Sequence, residues 1–132
     1  MTAHSLALTT LLVPDYDAGI AFCVGGLGLE LIEDSDLGGG KRWVVVGGKE
    51  GGRLLLAKAA TPAQTAAIGN QTGGRVGFFA HTHDFTGTYA RLVDAGAKFE
   101  EQPRRESYGT VAVFSDPFGN RWDLIEPKDA GQ

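Results

Sequence analysis

Phe114-Ser115-Asp116-Pro117-Phe118-Gly119-Asn120-Arg121-Trp122-Asp123-Leu124-Ile125-Glu126-Pro127 reads as a strand, a tight turn and a second strand. Pro117 has its φ already near a turn value, and Gly119 admits the positive φ that a side chain resists, so the chain reverses there. Strand side chains alternate between faces. Arg121, Asp123 and Ile125 therefore share one face, and Trp122, Leu124 and Glu126 share the other. Asp123 is a carboxylate set in a strand, backed by a Trp and Leu face that needs a core.

Moving outward, the same pattern recurs earlier in the chain. Gly51-Gly-Arg-Leu-Leu-Leu56 lies over Gly119-Asn-Arg-Trp-Asp-Leu124 at a shift of 68 residues. At a shift of 67, Leu11–Asp17 lies over Phe78–Asp84, with Phe22 over Tyr89, so one residue of slip separates the two registers. Two repeats of about half the chain each are the reading of this self-similarity.

Leu6 to Val13 is a short apolar run stopped by Pro14, a strand pattern. Asp15 or Asp17 caps a helix that Gly25, Gly26 and Gly28 end early. Leu29 to Ile32 is a strand, Glu33 to Gly40 an acidic glycine-rich loop, and Lys41–Val46 and Arg53–Lys58 complete a first βαβββ unit. Thr61-Pro-Ala-Gln64 carries the signature of a capped helix start, in a linker over 61–74. Val76–His81, a helix capped by Asp84 with Phe85, Tyr89, Leu92 and Val93 on one face, and the strands Ala97–Glu100, Thr110–Phe114 and Arg121–Glu126 form a second unit. The expected fold is α+β: one domain over 1–132, in which tandem βαβββ modules (6–58 and 75–127) form a mixed eight-stranded cupped sheet with helices on its outer face.

A chain of 132 residues with 42% hydrophobic and 21% charged residues is long and apolar enough for one soluble domain. Its net charge of −4 gives no basic footprint for nucleic acid or an anionic membrane. Cys23 is the only cysteine, which excludes an intrachain disulfide and a zinc held by a cysteine cluster and fits a reducing cytoplasm. The first residues lack the positive segment of a secretory signal, and no run is long enough to span a bilayer.

The Asp116-Pro-Phe-Gly-Asn120 turn followed by Arg-Trp-Asp-Leu resembles the closing hairpin of the vicinal oxygen chelate superfamily. That superfamily holds glyoxalase I, bleomycin-resistance proteins, fosfomycin-resistance enzymes and extradiol dioxygenases. Val13-Pro-Asp-Tyr-Asp17 ahead of Ala21-Phe22 is similar to its first strand-to-helix joint. The resemblance implies a cup that chelates a divalent metal through His, Gln or Glu at four repeat-related positions, and a homodimer. Those positions fall on Leu8, Arg75, Leu55 and Asp123. Leucine has no lone pair and guanidinium is a permanent cation, so no metal and no other cofactor is expected. His81 and His83, at a strand-to-helix joint, read as solvated rather than metal-binding.

Alternation places Arg53, Leu55, Arg121 and Asp123 in the cup, with Leu8, Thr10, Leu12, Arg75, Gly77 and Phe79 from the first strands. Arginines without an anion are costly to bury, so Arg75, helped by Arg53 or Arg121, is expected to bind an anionic small molecule between Leu8, Leu12 and Phe79, near Thr10. Against this stands a plain Arg75–Asp123 ion pair, with Arg53 and Arg121 reaching solvent. Tyr108 and Trp43 offer stacking surfaces at the mouth. Three functions follow: a metal-free small-molecule binding protein, a glyoxalase-like lyase or dioxygenase with an atypical metal site, or a metal-free lyase or isomerase with Asp123 as catalytic base.

Overall fold

The computed structural model describes residues 3–128; Met1, Thr2 and 129–132, which the single-domain bounds include, lie outside the described residues. The first repeat runs β1 (Thr9–Val13), α1 (Tyr16–Ile20), a π-helical turn (Ala21–Gly26), β2 (Glu30–Gly38), β3 (Lys41–Gly47) and β4 (Arg53–Lys58). After α2 (Pro62–Ala67) come β5 (Val76–His81), α3 (Phe85–Asp94), β6 (Lys98–Phe99), β7 (Arg104–Glu106), β8 (Gly109–Ser115) and β9 (Arg121–Pro127). The class is α+β with βαβββ repeats, as the sequence predicts. The strands form two sheets, β1-β4-β3-β2 and β5-β9-β8-β6, with β7 joining β8 beyond β6. In each, the first strand runs parallel to the last, and the other pairings are antiparallel.

One core serves both sheets. Leu11, Val13, Val44, Val46 and Leu56 from the first sheet, and Ala112, Phe114, Trp122 and Leu124 from the second, bury against helical residues Phe22, Cys23, Phe85 and Leu92. Phe22, from the first repeat's helix, packs edge-on to Trp122 at 5.7 Å in the second sheet. Each large side chain so buried contributes about 2–3 kcal/mol. The sheets meet through their helices, with the helix-side face of each turned inward.

The turn after β8 is held by a buried carboxylate. Asp116 accepts from the backbone N–H of Phe118 and Asn120, from Asn120 Nδ2, each at 2.9 Å, and from Trp122 Nε1 at 3.0 Å. Gly119 takes φ +108° beside Gly69 at φ +74°, where a Cβ on Gly69 would collide with the Phe118 carbonyl. The linker thus lies backbone to backbone on the hairpin turn. From the same linker, Gln71 Oε1 accepts from Leu12 N–H at 2.7 Å and its Nε2 donates to the Thr10 carbonyl at 2.9 Å, occupying the open edge of β1.

Several elements differ from the sequence expectation. The acidic stretch 33–40 is not a loop: β2 carries it through Gly38, paired with β3, and being an edge strand it keeps its carboxylates in solvent. Of the glycines expected to end the first helix, Gly25 and Gly26 lie in the π-helical turn, where Leu27 N–H reaches the Phe22 carbonyl at 3.0 Å, while Gly28, at φ +77°, follows the cap residue Leu27 as expected. In α3 the inward face is Phe85, Thr88 and Leu92, and Val93 is exposed. The expected strand 97–100 shrinks to β6, and β7 was not foreseen. Asp15 caps α1 and Asp84 caps α3, a shift of 69 that aligns the first halves of the repeats two residues away from the sequence superposition.

Candidate functional site

Because Trp122 and Leu124 are in the core, Asp123 stands on the opposite, outward face of β9. Phe79 pairs with it from β5 and Val113 from β8. The repeat-related row of the first sheet is Thr10–Leu55–Val45. Phe79 is 63% exposed and Trp43, one step along the first sheet's outward face from Val45, is 36% exposed. Each sheet therefore offers half a cup to the outside.

The register of the paired strands relocates the row expected to hold a metal. The residue beside Leu55 is Thr10, not Leu8, and the residue beside Asp123 is Phe79, not Arg75. Leu8 precedes β1, half-buried, and Leu12 follows Thr10 on the same outward face, opposite Ala57. Arg75 precedes β5, is exposed, and a bulge between Val76 and Phe78 puts Val76 in register with Arg121. No ion pair joins Arg75 to Asp123 among the described residues. Arg53 opens β4 of the first sheet, paired with Gly47 of β3, and is exposed. Tyr108, half exposed, sits in the β7–β8 turn, where its carbonyl accepts at 2.8 Å from the N–H of Lys128, the residue after β9.

The arginines nearest Asp123 are already engaged by residues that sequence reading passed over. Arg121 binds both oxygens of Glu100, with Nη2 2.9 Å from Oε1, and its Nη1 donates to the Gly74 carbonyl at 3.1 Å. Arg104 binds Glu101 in the same two-pronged way, at 2.8 and 3.1 Å, and reaches Glu106 at 2.9 Å. Glu101 also accepts from the Val113 N–H at 2.8 Å, standing in for a strand between β6 and β7. These contacts hold the carboxyls of Glu100 and Glu101 below their ordinary range, the arginine hydrogen bond being the main cause in each. The run Glu100-Glu101-Gln-Pro-Arg104, opposite charges either side of a proline, was the available signal.

Asp123 is left over. Its Oδ1 is the one buried side-chain oxygen or nitrogen without a hydrogen-bond partner among the described residues. Burial raises its pKa, against a smaller lowering by Arg104. Cys23 is no competitor for chemistry: burial, then the charge of Asp116, pushes its thiol up to about 12. A metal does not fit the cup, since Leu55, Thr10 and Phe79 accompany the one carboxylate, and no group of three His, Cys, Asp or Glu side chains gathers anywhere among the described residues. His81 and His83 are exposed. A concavity of about 570 Å³ lies at the far end of the second sheet among His83, Arg105, Glu106, Glu126 and Lys128 and includes none of the expected site residues.

Comparison with known proteins gives the same fold. A protein of Shewanella frigidimarina (strain NCIMB 400), described as uncharacterized, is 48% identical over 129 residues, 96% of each chain. The crystal structure of UcmS2 superposes with a TM-score of 0.75 at 30% identity, covering 95% of this chain and 99% of its own. TnmS3, an antibiotic binding protein from Streptomyces sp. CB03234, superposes with a TM-score of 0.71 at 28% identity, over 97% and 100% of the two chains. No described helix is long and apolar enough to cross a membrane. The family profile matches residues 5–124, and the chain belongs to the Glyoxalase/Bleomycin resistance protein/Dioxygenase superfamily.

Proposed function

We propose that this protein binds a small, largely apolar molecule without a metal, in a cup that two copies of the chain complete. The observation that carries this is the outward facing of both half-cups. The helix-side faces are consumed in one core, so Phe79 and Trp43 stand exposed on sheet faces that a globular chain ordinarily covers. A first-sheet half from one copy opposed to a second-sheet half from another encloses a volume that one copy cannot. The likeness to TnmS3, which is described as an antibiotic binding protein, supports binding over turnover, and the single carboxylate in the row supports a site without metal.

The test combines sedimentation equilibrium with titration of a panel of polycyclic aromatic antibiotics. Trp43 is the exposed one of the two tryptophans, so its fluorescence reports the cup. A dimer, saturable quenching and recovery of the compound unchanged are expected, with affinity weakened about tenfold in Phe79→Ala, as for a central aromatic anchor. A monomer that quenches with no compound, or a compound returned chemically altered, would sink the proposal.

A further inference from the structure

We infer that the cup selects ligands bearing an amine rather than an acid group, with Asp123 receiving the N–H. This rests on the cup reading above and reverses the charge preference that three arginines suggested from sequence. Two of the arginines around Asp123, Arg104 and Arg121, are each held by glutamates in two-pronged geometry, so neither guanidinium fork faces an incoming anion. Glu100, Glu101 and Glu106 thus set three carboxylates against Arg104 and Arg121, and the other arginines of the sequence reading, Arg75 ahead of β5 and Arg53 beside Gly47 on the first sheet, lie off the Phe79–Asp123–Val113 row.

Asp123, unlike these three glutamates, lacks an ion-pair partner, and its Oδ1 is shielded from water without a donor. What is shut off from water is shut off from a ligand, so the donor goes to Oδ2, the oxygen of this half-buried carboxylate that is not enclosed, and a charge-assisted hydrogen bond there offsets part of the cost of leaving the carboxylate unpaired. A metal ion is the other way to satisfy a lone carboxylate, but Thr10, Leu55 and Phe79 offer it no adequate ligand set. An ammonium needs only the one acceptor, and Phe79 beside it adds a ring face for the cation. The raised pKa of Asp123 agrees with an oxygen that has neither water nor donor at hand.

Three probes of one shape test this by NMR titration: 1-naphthylmethylamine, 1-naphthylmethanol and 1-naphthoate. The amine is expected to bind at least about tenfold tighter than the carboxylate, with the alcohol between. Asp123→Asn, which keeps the side chain's shape, should cost the amine about tenfold and leave the alcohol within about twofold. Naphthoate binding as tightly as the amine, or an amine preference that survives Asp123→Asn, would overturn the inference while leaving the cup intact. If none of the three binds, the cup reading falls and this one with it.

Discussion

Two aspartates seven residues apart show how much environment decides what a carboxylate does. Asp116 has its needs met by four donors, and Asp123 has a buried oxygen with none. Asp116→Ala strands the Trp122 indole N–H and two turn amides in the core, so urea denaturation should show a loss of about 3 kcal/mol, with Asp116→Asn losing less because one acceptor remains. For Asp123 the sign is opposite. Its folded pKa lies above the ordinary carboxylate value, so the folded state holds the proton longer, and stability falls as pH rises through that interval. Asp123→Asn should therefore match the wild type near about pH 3 and melt at a higher temperature than it by neutral pH. Glu100 and Glu101, shifted downward by Arg121 and Arg104, give stability that is lost as pH falls, in both proteins alike. That acid limb cancels when the two curves are compared. Asp123 was legible as a special residue from parity alone. Its freedom from arginine was not, because Glu100 and Glu101 reach Arg121 and Arg104 through side-chain conformations that alternation does not encode.

At the scale of elements, what the sequence revealed was short in range. The helix caps could be read: Asp15, one of two candidates, accepts through Oδ1 from Ala18 N–H at 2.7 Å, Thr61 Oγ1 from Gln64 N–H at 3.1 Å, and Asp84 Oδ1 from Gly87 N–H at 3.0 Å. Asp84→Ala should destabilise the protein by about 1 kcal/mol, the ordinary worth of such a cap, read as a shift in the urea midpoint with unchanged slope. The shift stays near that value because a second carboxylate, Glu126 of β9, takes the Phe85 N–H at 2.8 Å from across the fold. No local pattern announces that contact, which spans 41 residues. The acidic β2 shows the converse failure. Its charges and terminal glycines carry turn chemistry, but pairing with β3 supplies the backbone partners that local propensity does not.

For the whole molecule, the division of β1, β4, β5 and β9 into a core face and an outward face was legible, because period-two alternation survives a two-residue misalignment of the repeats. The separation into two sheets and the pairing of rows across the cup were not, since both depend on how helices of one repeat meet the sheet of the other. A fold built from open sheets must also keep its edges from recruiting foreign chains. Here β1 borders its sheet, and a single amide side chain, Gln71, mimics one residue of a neighbouring strand by meeting both Leu12 N–H and the Thr10 carbonyl. Gln71 is thus a gatekeeper as well as a clasp on the linker. It stops a foreign β-strand from adding to this border in a crowded cell, and does so without the charge or proline that edge strands more commonly use.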